Sequence, residues 1–290
     1  MNALFKDYLR IFSRTFKMAL RAIELILPYK AACSLRNLFL LLVKSNLRFE
    51  YDKDSNLFIA SEKNIFRYFG NMKRGFDLYD KSLIKRGNDL HKTYCLNNIN
   101  FKSSDIIIDC GANYADLFIP LQEIIDEENY IAFEPGPIEF KCISKSLPKA
   151  RNLNVGLSNK EDVMKFYLCS ATGDSSLVET QNYTEIIEVE VTTLDNFAKL
   201  HNINSCKLLK LEAEGWEPEI LNGAKDFIKK CEYIVIDGGP ERGLNDELTF
   251  QRLNNKLLNS GYEMIDICGF AYRALYQNRT IKKSNNNKLM

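Results

Sequence analysis

The stretch DIIIDCGANYADLF, residues 105–118, sets a short apolar run directly before a carboxylate and a glycine turn. Residues 106–110 predict a buried strand, because apolar runs of this length bounded by turn residues are typical of sheet cores. In a doubly wound sheet, a ligand binds beyond the carboxyl ends of the strands, where the strand order reverses. Gly111 allows a tight turn there, and we expect a following helix to offer free amide donors at its N-terminus.

Similar apolar runs follow and alternate with helical segments. They cover residues 106–110, 130–133, 153–157, 208–211, 233–236 and 262–268. The alternation predicts a doubly wound α/β fold with a mostly parallel, seven-stranded sheet covered on both faces. Residues 262–278 leave no room for a crossover helix, so they predict an antiparallel hairpin at the end of the sheet. Residues 161–192 interrupt the order and predict two exposed or edge strands.

Residues 1–27 repeat apolar side chains at three- and four-residue spacing beside a basic stripe, which predicts an amphipathic helix ending near Pro28. Its apolar stripe packs either on the body or a second helix at 35–43, or in a membrane interface, where the protein would be peripheral at the inner face. The predicted domains follow from these patterns. They are a basic helical extension over 1–48, a capping region on the substrate side over 49–100, the α/β domain over 101–280 and a polar tail over 281–290.

The composition narrows the class of protein. Residues 1–48 hold nine Lys or Arg against two acids, so the rest of the chain carries an excess of six negative charges. An acidic body argues against nucleic acid as a partner, because a phosphate-binding face is basic. The eight cysteines form no CxxC pair, which predicts a reducing, cytoplasmic location. No stretch approaches the roughly 18 uncharged apolar residues of a membrane span.

The acid after the next predicted strand indicates the ligand. Glu134 follows Asp109 by 25 residues, close to the spacing of about 20 at which an acid binds ribose hydroxyls in dinucleotide-binding folds. The fingerprint G-x-G-x-x-G is missing, because Asn113 and Asp116 stand where its later glycines belong. Ribose without pyrophosphate fits S-adenosylmethionine, whose ammonium suits carboxylates and whose carboxylate suits amide donors.

Five segments within residues 100–275 resemble the FkbM-type S-adenosylmethionine-dependent methyltransferases, which have the class I methyltransferase fold. In chain order they read DCGANYAD, FEPGPIEF, NVGLSNKED, VTTLDNF and KLLKLEAEGWEPEILNGAKDFI. The resemblance implies a Rossmann-like domain that transfers a methyl group to an oxygen, often a sugar hydroxyl. Two positions depart from the family, since Ala115 replaces a glycine and Glu212 replaces an aspartate. We expect Ala115 in the first turn of a helix, where alanine costs nothing. The alternative is a position with positive φ or close contact with the ligand, where alanine would cost on the order of 1 kcal/mol and weaken binding.

The loops and strand tips supply the candidate site residues. For the cofactor these are Asp109, Gly111, Ala112, Asn113, Tyr114, Ala115, Glu134, Pro135, Gly156, Leu157 and Ser176. Methyl transfer from a sulfonium is an in-line displacement that needs a group to take the hydroxyl proton. The candidates for this step are Glu212, Glu214 and Asp237, with the two glutamates expected on opposite sides of an extended segment. A helix cap or a turn is the alternative role of these acids, and no His or Cys spacing indicates a metal.

The sequence therefore predicts an S-adenosylmethionine-dependent methyltransferase that acts on a hydroxyl. The resemblance implies a saccharide or glycolipid precursor, either a small molecule or a lipid-linked acceptor. Two alternatives remain at this stage. One is a catalytically inactive regulatory protein that kept the cofactor fold, which the departures at Ala115 and Glu212 leave open. The other is a nicotinamide-dependent dehydrogenase, against which the missing glycine fingerprint argues.

Overall fold

The computed structural model describes residues 18–169 and 172–282. The chain divides into two compact units, Met1–Leu83 and Ile84–Met290. Within the described residues, no helix has the length and apolar character needed to cross a bilayer. The four domains outlined from the sequence stay a prediction.

The first unit combines helices with a three-stranded antiparallel sheet. Residues 18–26 are helical and the chain turns at Pro28, which confirms the predicted helix end, whereas residues 1–17 of that prediction lie outside the described residues. The further elements are α1 (Tyr29–Leu42), β1 (Arg48–Asp52), β2 (Leu57–Glu62), β3 (Ile65–Phe69) and α2 (Met72–Leu78). The strands pair in the order β1-β2-β3.

Aromatic side chains form the core of this first unit. Phe49, Phe58, Phe69 and Phe76 are buried, and the ring centroids of Phe49 and Phe76 lie 4.7 Å apart. The amide side chain of Asn37 donates to the Phe49 carbonyl and accepts from its N–H, both at 2.8 Å. These two bonds fix α1 against the edge strand β1, because they replace the ladder partners that an edge residue lacks.

The second unit contains the large sheet. Its strands are β4 (Ile107–Cys110), β5 (Tyr130–Phe133), β6 (Arg151–Leu153), β7 (Gly156–Ser158), β8 (Asp162–Leu168), β9 (Glu185–Thr193), β10 (Cys206–Leu211), β11 (Cys231–Asp237), β12 (Pro240–Arg242), β13 (Glu247–Leu248), β14 (Tyr262–Cys268) and β15 (Arg273–Asn278). Its α-helices are α3 (Leu83–Thr93), which begins at the boundary, α4 (Pro137–Ser146), α5 (Leu194–Leu200), α6 (Glu217–Asn222) and α7 (Phe250–Asn259).

Seven strands form this sheet in the order β14-β15-β11-β10-β4-β5-β6. Neighbouring strands among β11, β10, β4, β5 and β6 pair in parallel. In contrast, β15 is antiparallel to both β11 and β14. The prediction of a mixed α/β fold with a large, mostly parallel sheet and a terminal antiparallel hairpin is thereby confirmed. The strand order reverses at β4, so the crevice for a ligand lies at its carboxyl end.

Alternating side chains of the central strands enter two separate hydrophobic clusters. Ile108, Leu209 and Ile234 belong to the cluster on one face, and Ile107 and Leu208 belong to the cluster on the other. Parallel strands covered on both faces read as continuous apolar runs for this reason. Those runs made the sheet visible in the sequence.

The third predicted strand is wrong in its extent. Only Arg151–Leu153 pairs with β5, and Gly156–Ser158 joins a separate three-stranded sheet of order β7-β9-β8. Asn154 separates the two pieces, because its side-chain amide donates to the carbonyls of Glu134 at 3.0 Å and Pro135 at 2.9 Å. The two strands predicted within residues 161–192 are β8 and β9 of this small sheet. Of the predicted polar tail, residues 281–282 are helical and residues 283–290 lie outside the described residues.

Candidate functional site

The loop after β4 is attached to the strands on both sides of it. The N–H groups of Gly111 and Ala112 donate to the Phe133 carbonyl of β5, at 3.0 and 3.1 Å. On the other side, the Glu212 N–H donates to the Cys110 carbonyl at 3.3 Å. The loop is therefore held at the point where the strand order reverses.

Only glycine fits at position 111. Its φ is +70°, and a Cβ placed on it would lie 1.9 Å from the carbonyl oxygen of Glu212. Both the left-handed backbone and the close approach exclude a side chain. The glycine found in the sequence thus serves the contact between the tips of β4 and β10.

A short 3₁₀ helix stands where we expected an α-helix after this loop. The expectation that Ala115 lies in the first turn of a helix is wrong. Ala115 has a left-handed backbone with φ of 57°, and the residues after it form a short 3₁₀ helix, Asp116–Leu121, with Pro120 inside it. Asn113 is left-handed too, with φ of 53°. A buried Ala115 methyl compensates part of the backbone cost of about 1–2 kcal/mol for a non-glycine residue in this region.

Asp109 and Lys210 form a buried ion pair between β4 and β10. The two residues are direct partners in the strand register, and Lys210 Nζ lies 3.0 Å from Asp109 Oδ1. The Tyr130 hydroxyl donates to the other oxygen of Asp109. Burial raises the pKa of Asp109, and Lys210 and Tyr130 oppose that rise. Since Asp109 is only 1% exposed, its partners in this structure are Lys210 and Tyr130.

Lys210 connects this ion pair to the glycine loop. Its ammonium donates to the carbonyls of Gly111 at 2.7 Å and Cys110 at 3.2 Å, and lies 2.9 Å from Glu212 Oε2. Although burial disfavours the charge, Asp109 and Glu212 raise the pKa of Lys210, so it remains an ammonium. Lys210 thereby fixes the shape of the loop.

Glu134 lies at the tip of β5 beside the same loop. Its carboxylate accepts the N–H groups of Asn113 and Gly136, each at 2.8 Å. Burial, followed by the neighbouring Glu139 carboxylate, raises the pKa of Glu134 to about 7. Each carboxylate oxygen retains a further lone pair, so Glu134 can still accept hydrogen bonds from a ligand.

A cavity of about 430 Å³ opens next to the loop. It is lined by Cys169, Thr172, Asp174, Thr180, Gln181, Asn182, Glu212, Glu214, Pro240, Glu241, Asp246 and Arg273. Five of these side chains are carboxylic acids and one is a guanidinium. Glu212 belongs to both features, since its carbonyl packs on Gly111 and its side chain lines the cavity. The loop and the cavity are therefore parts of one site.

Arg273 joins the acids at this end of the sheet. It binds Asp237 through Nε at 2.6 Å, Thr93 through Nη1 at 3.0 Å and Glu212 through Nη2 at 2.7 Å. Its guanidinium also lies over the Tyr94 ring, 4.1 Å from the centroid. Sequence reasoning missed Arg273, because its role depends on the antiparallel pairing of β15 with β11, which places it opposite Asp237.

The acids of the cavity differ in their proton affinity. Burial alone would raise the pKa of Glu212, but Lys210 and Arg273 lower it to about 2. Burial, followed by the Glu241 and Glu212 carboxylates, raises the pKa of Glu214 to about 10. Burial, followed by the Asp237 and Glu212 carboxylates, raises the pKa of Glu241 to about 8. The sequence reasoning also missed Glu241, since an acid in a three-residue strand has no distinguishing pattern.

The expectation that Glu212 and Glu214 point to opposite sides is wrong, because both line the cavity. β10 ends at Leu211, and Glu214 adopts a left-handed backbone with φ of 50°, so strand alternation does not extend to it. The Ser176 hydroxyl donates to the Glu214 carbonyl at 2.8 Å. Ser176 thus supports this turn from the inserted segment.

The other predicted site residues lie apart from the cavity lining. Asp237 is buried at the tip of β11, where it binds Arg273 and accepts the Gly239 N–H at 3.1 Å. Ala112 and Tyr114 are buried and Pro135 is half-buried. Gly156 and Leu157 are buried in the small sheet. Across residues 18–169 and 172–282, no group of three or more His, Cys, Asp or Glu side chains is arranged to hold a metal ion.

The strand order defines a doubly wound α/β protein, and the candidate site lies at the switch point, where this class of fold binds its ligands. The chain belongs to the methyltransferase FkbM domain family, whose profile matches residues 109–264. This match spans the sheet from the tip of β4 into β14 and includes the glycine loop and the acids at the tips of β5, β10 and β11.

The proteins similar to this chain include one curated relative and one solved structure. "Methyltransferase 1" of Beauveria bassiana (strain ARSEF 2860) is 20% identical over 157 residues, which are 46% of this chain and 63% of that protein. The match therefore spans less than two thirds of the length of that relative. A solved structure, methyltransferase FkbM from Methylobacillus flagellatus KT, is 15% identical with a TM-score of 0.43, and the match covers 67% of this chain and 50% of that chain.

Proposed function

We propose that the protein is an S-adenosylmethionine-dependent O-methyltransferase that acts on a hydroxyl of a saccharide or glycolipid precursor. Membership of the FkbM methyltransferase family supports the reaction class. One observation carries the assignment of the site. The Glu212 backbone packs on the glycine loop, while its side chain lines the adjoining acidic cavity, so a cofactor on the loop has an acceptor space beside it.

The residues present fit S-adenosylmethionine by their chemistry. Glu134 offers free lone pairs for a ribose diol, and it lies beside the loop at the tip of β5. The acceptor cavity beside the loop holds five acids against one arginine, which suits a sulfonium and an ammonium bound next to it. When bound, the cofactor supplies an electrophilic methyl group. Glu134 and the loop around Gly111 would hold it, and Asp109 would act through Lys210, which shapes that loop.

The acids at the cavity divide into two roles. Glu212 is fixed by Lys210 and Arg273, and its low pKa makes it a poor proton acceptor. Asp237 is also bound by Arg273, and it lies apart from the cavity lining, although burial raises its pKa. Glu241 has a pKa near 8, and a general base works best when its pKa is close to the working pH. We assign Glu241 as the group that takes the hydroxyl proton, with Glu214 as its protonated neighbour.

The test of the reaction is incubation of the protein with S-adenosylmethionine carrying a labelled methyl group, together with a lysate separated into lipids, saccharides, proteins and nucleic acids. Label in the saccharide or glycolipid fraction is the expected result. Label in another fraction would overturn the acceptor class, while cofactor binding without transfer to any fraction would favour the regulatory alternative.

The test of the base compares Glu241→Gln with Glu247→Gln, an exposed glutamate on β13. We expect Glu241→Gln to lower the transfer rate by about 10²-fold or more, while the affinity for S-adenosylmethionine changes little. The matched variant should keep the rate of the unmodified protein. A rate unchanged by Glu241→Gln would remove Glu241 from the mechanism.

We further propose a reducing, cytoplasmic location. All eight cysteines lie in the described part of the chain, none of them forms a disulfide there, and seven are buried. This is the usual state of thiols in a compartment that does not form disulfides. Recovery of a tagged full-length chain with cytoplasmic markers, on cell fractionation, is the expected result. Recovery from a secreted fraction with its cysteines oxidised would contradict it.

A further inference from the structure

The outward sides of residues 18–26 and α1 carry large apolar side chains. Ile26 is 82% exposed and Leu42 is 74% exposed, with Leu38 and Leu41 at 56% each. The same segment exposes Met18, Ile23, Leu25, Tyr29 and Val43. We call these nine side chains the helical apolar surface. Contiguous exposed apolar side chains in one segment mark an interaction site more often than single ones do.

The helices that carry this surface are anchored on their inner sides. Leu20 and Leu40 are buried, and Arg36 forms a buried ion pair with Glu24 at 2.5 Å. The Arg36 guanidinium also covers the Phe76 ring, 4.7 Å from its centroid. The exposed side chains are therefore the outer side of packed helices.

The charge of the segment that carries this surface is mainly positive. Glu24 is the only acid between residues 18 and 47, and it is buried against Arg36. Lys30 and Lys44 of the same segment are exposed. Arg21 is exposed as well, and it forms an ion pair with the exposed Asp77 of α2. The preceding residues add Lys6, Arg10, Arg14 and Lys17 against one acid, Asp7. The segment thus presents apolar and cationic groups together, whereas the rest of the chain has an excess of negative charge.

We propose that the helical apolar surface docks on an anionic lipid bilayer, with its helices lying in the interface. Helices bind there when an apolar side enters the boundary of the acyl chains and neighbouring cations face anionic headgroups. The 14 residues of α1 extend about 21 Å, which suits a helix lying along a bilayer surface. This docking would bring the enzyme to acceptors that reside in a membrane.

Vesicle flotation with the full chain tests the proposal. We expect recovery with vesicles of phosphatidylcholine and phosphatidylserine at low salt, and little recovery with phosphatidylcholine alone. Leu38→Ser together with Leu42→Ser should lower the partition coefficient by about tenfold or more. Higher salt should weaken binding as well, because it screens the cations.

The matched control is Leu200→Ser together with Leu244→Ser. These leucines are similarly exposed, at 68% and 52%, and lie in the second unit, so binding should be retained. Equal recovery of all variants, or a wild-type protein that stays with the unbound fraction, would overturn the proposal. So would a dimer that Leu38→Ser and Leu42→Ser dissociate without any flotation. Circular dichroism confirms folding, and the test needs no methyl transfer, so its outcome is independent of the proposed reaction.

Discussion

Replacing Gly111 by alanine tests the contact between the glycine loop and the tip of β10. The added Cβ would lie 1.9 Å from the Glu212 carbonyl oxygen, and φ at this position is +70°. The left-handed backbone alone costs about 1–2 kcal/mol for alanine. Relief of the overlap requires a backbone shift, and overpacking of this kind costs typically about 1–3 kcal/mol more. We therefore expect Gly111→Ala to lower the free energy of unfolding by about 2–5 kcal/mol.

Gly261→Ala is the matched control for this substitution. Gly261 has a positive φ of 89°, and a Cβ on it would meet nothing within 4 Å, so only the backbone cost of about 1–2 kcal/mol applies. Urea denaturation of both variants, followed by circular dichroism, measures the difference. Equal destabilisation of the two variants would show that the approach of Glu212 to Gly111 is not tight, and would refute the account of the loop.

Three other predictions concern the buried groups of the second unit. Lys210→Met should lower the free energy of unfolding by about 3–5 kcal/mol, because Asp109 then lies buried without its cation; a loss below 1 kcal/mol in urea denaturation would contradict the ion pair. Ala115→Gly should change the free energy of unfolding by less than about 1 kcal/mol, because relief of the left-handed backbone offsets the lost methyl burial of about 0.8 kcal/mol. A much larger loss would contradict the φ of 57° at this residue. In the ligand-free protein, Glu134 and Glu217 have pKa values raised to about 7 and Glu241 to about 8. A raised pKa stabilises the folded protein fully below the pKa of the unfolded chain, near 4.5, and this stabilisation is lost as the pH rises. Thermal denaturation should therefore show a melting temperature that falls between about pH 5 and pH 8. A melting temperature that rises over that window would refute the prediction.

The sheet could be predicted from the sequence because its strands are covered on both faces. The runs at 106–110, 208–211 and 233–236 contain almost only apolar residues, and within an α/β pattern such runs are typical of strands buried in a parallel sheet. The hairpin of β14 and β15 was equally visible, because the chain between them is too short for a crossover. The glycine and the acids at strand tips followed from the place of ligands in this class of fold.

The sequence pattern does not indicate the local backbone conformation at several positions of the site. Ala115 and Glu214 are left-handed, which neither residue type suggests, because L side chains rarely adopt that region. The break at Asn154 depends on side-chain hydrogen bonds to residues about 20 positions earlier, which no local pattern reveals. The sequence therefore predicts a third strand that is wrong in its extent.

The sequence also does not indicate which cations bind the acids of the candidate site. Arg273 reaches Glu212 and Asp237 from the last strand, and a sequence pattern carries no information on such distant pairs. Lys210 binds both Asp109 and the carbonyl of Gly111, and no local pattern in the sequence indicates this pair of contacts. These contacts fix Glu212, which is why we propose Glu241 as the base instead.

Calorimetric titration of S-adenosylmethionine into the wild-type protein and a Glu134→Gln variant tests the central claim most directly. Glu128→Gln, in the exposed turn before β5, serves as the matched control. We predict binding by the wild type and the control, and a loss of affinity of about tenfold or more for Glu134→Gln, because a charged acceptor of hydrogen bonds contributes about 1.5–3 kcal/mol. Equal affinity of a folded Glu134→Gln variant, or no binding by the wild type, would contradict the account.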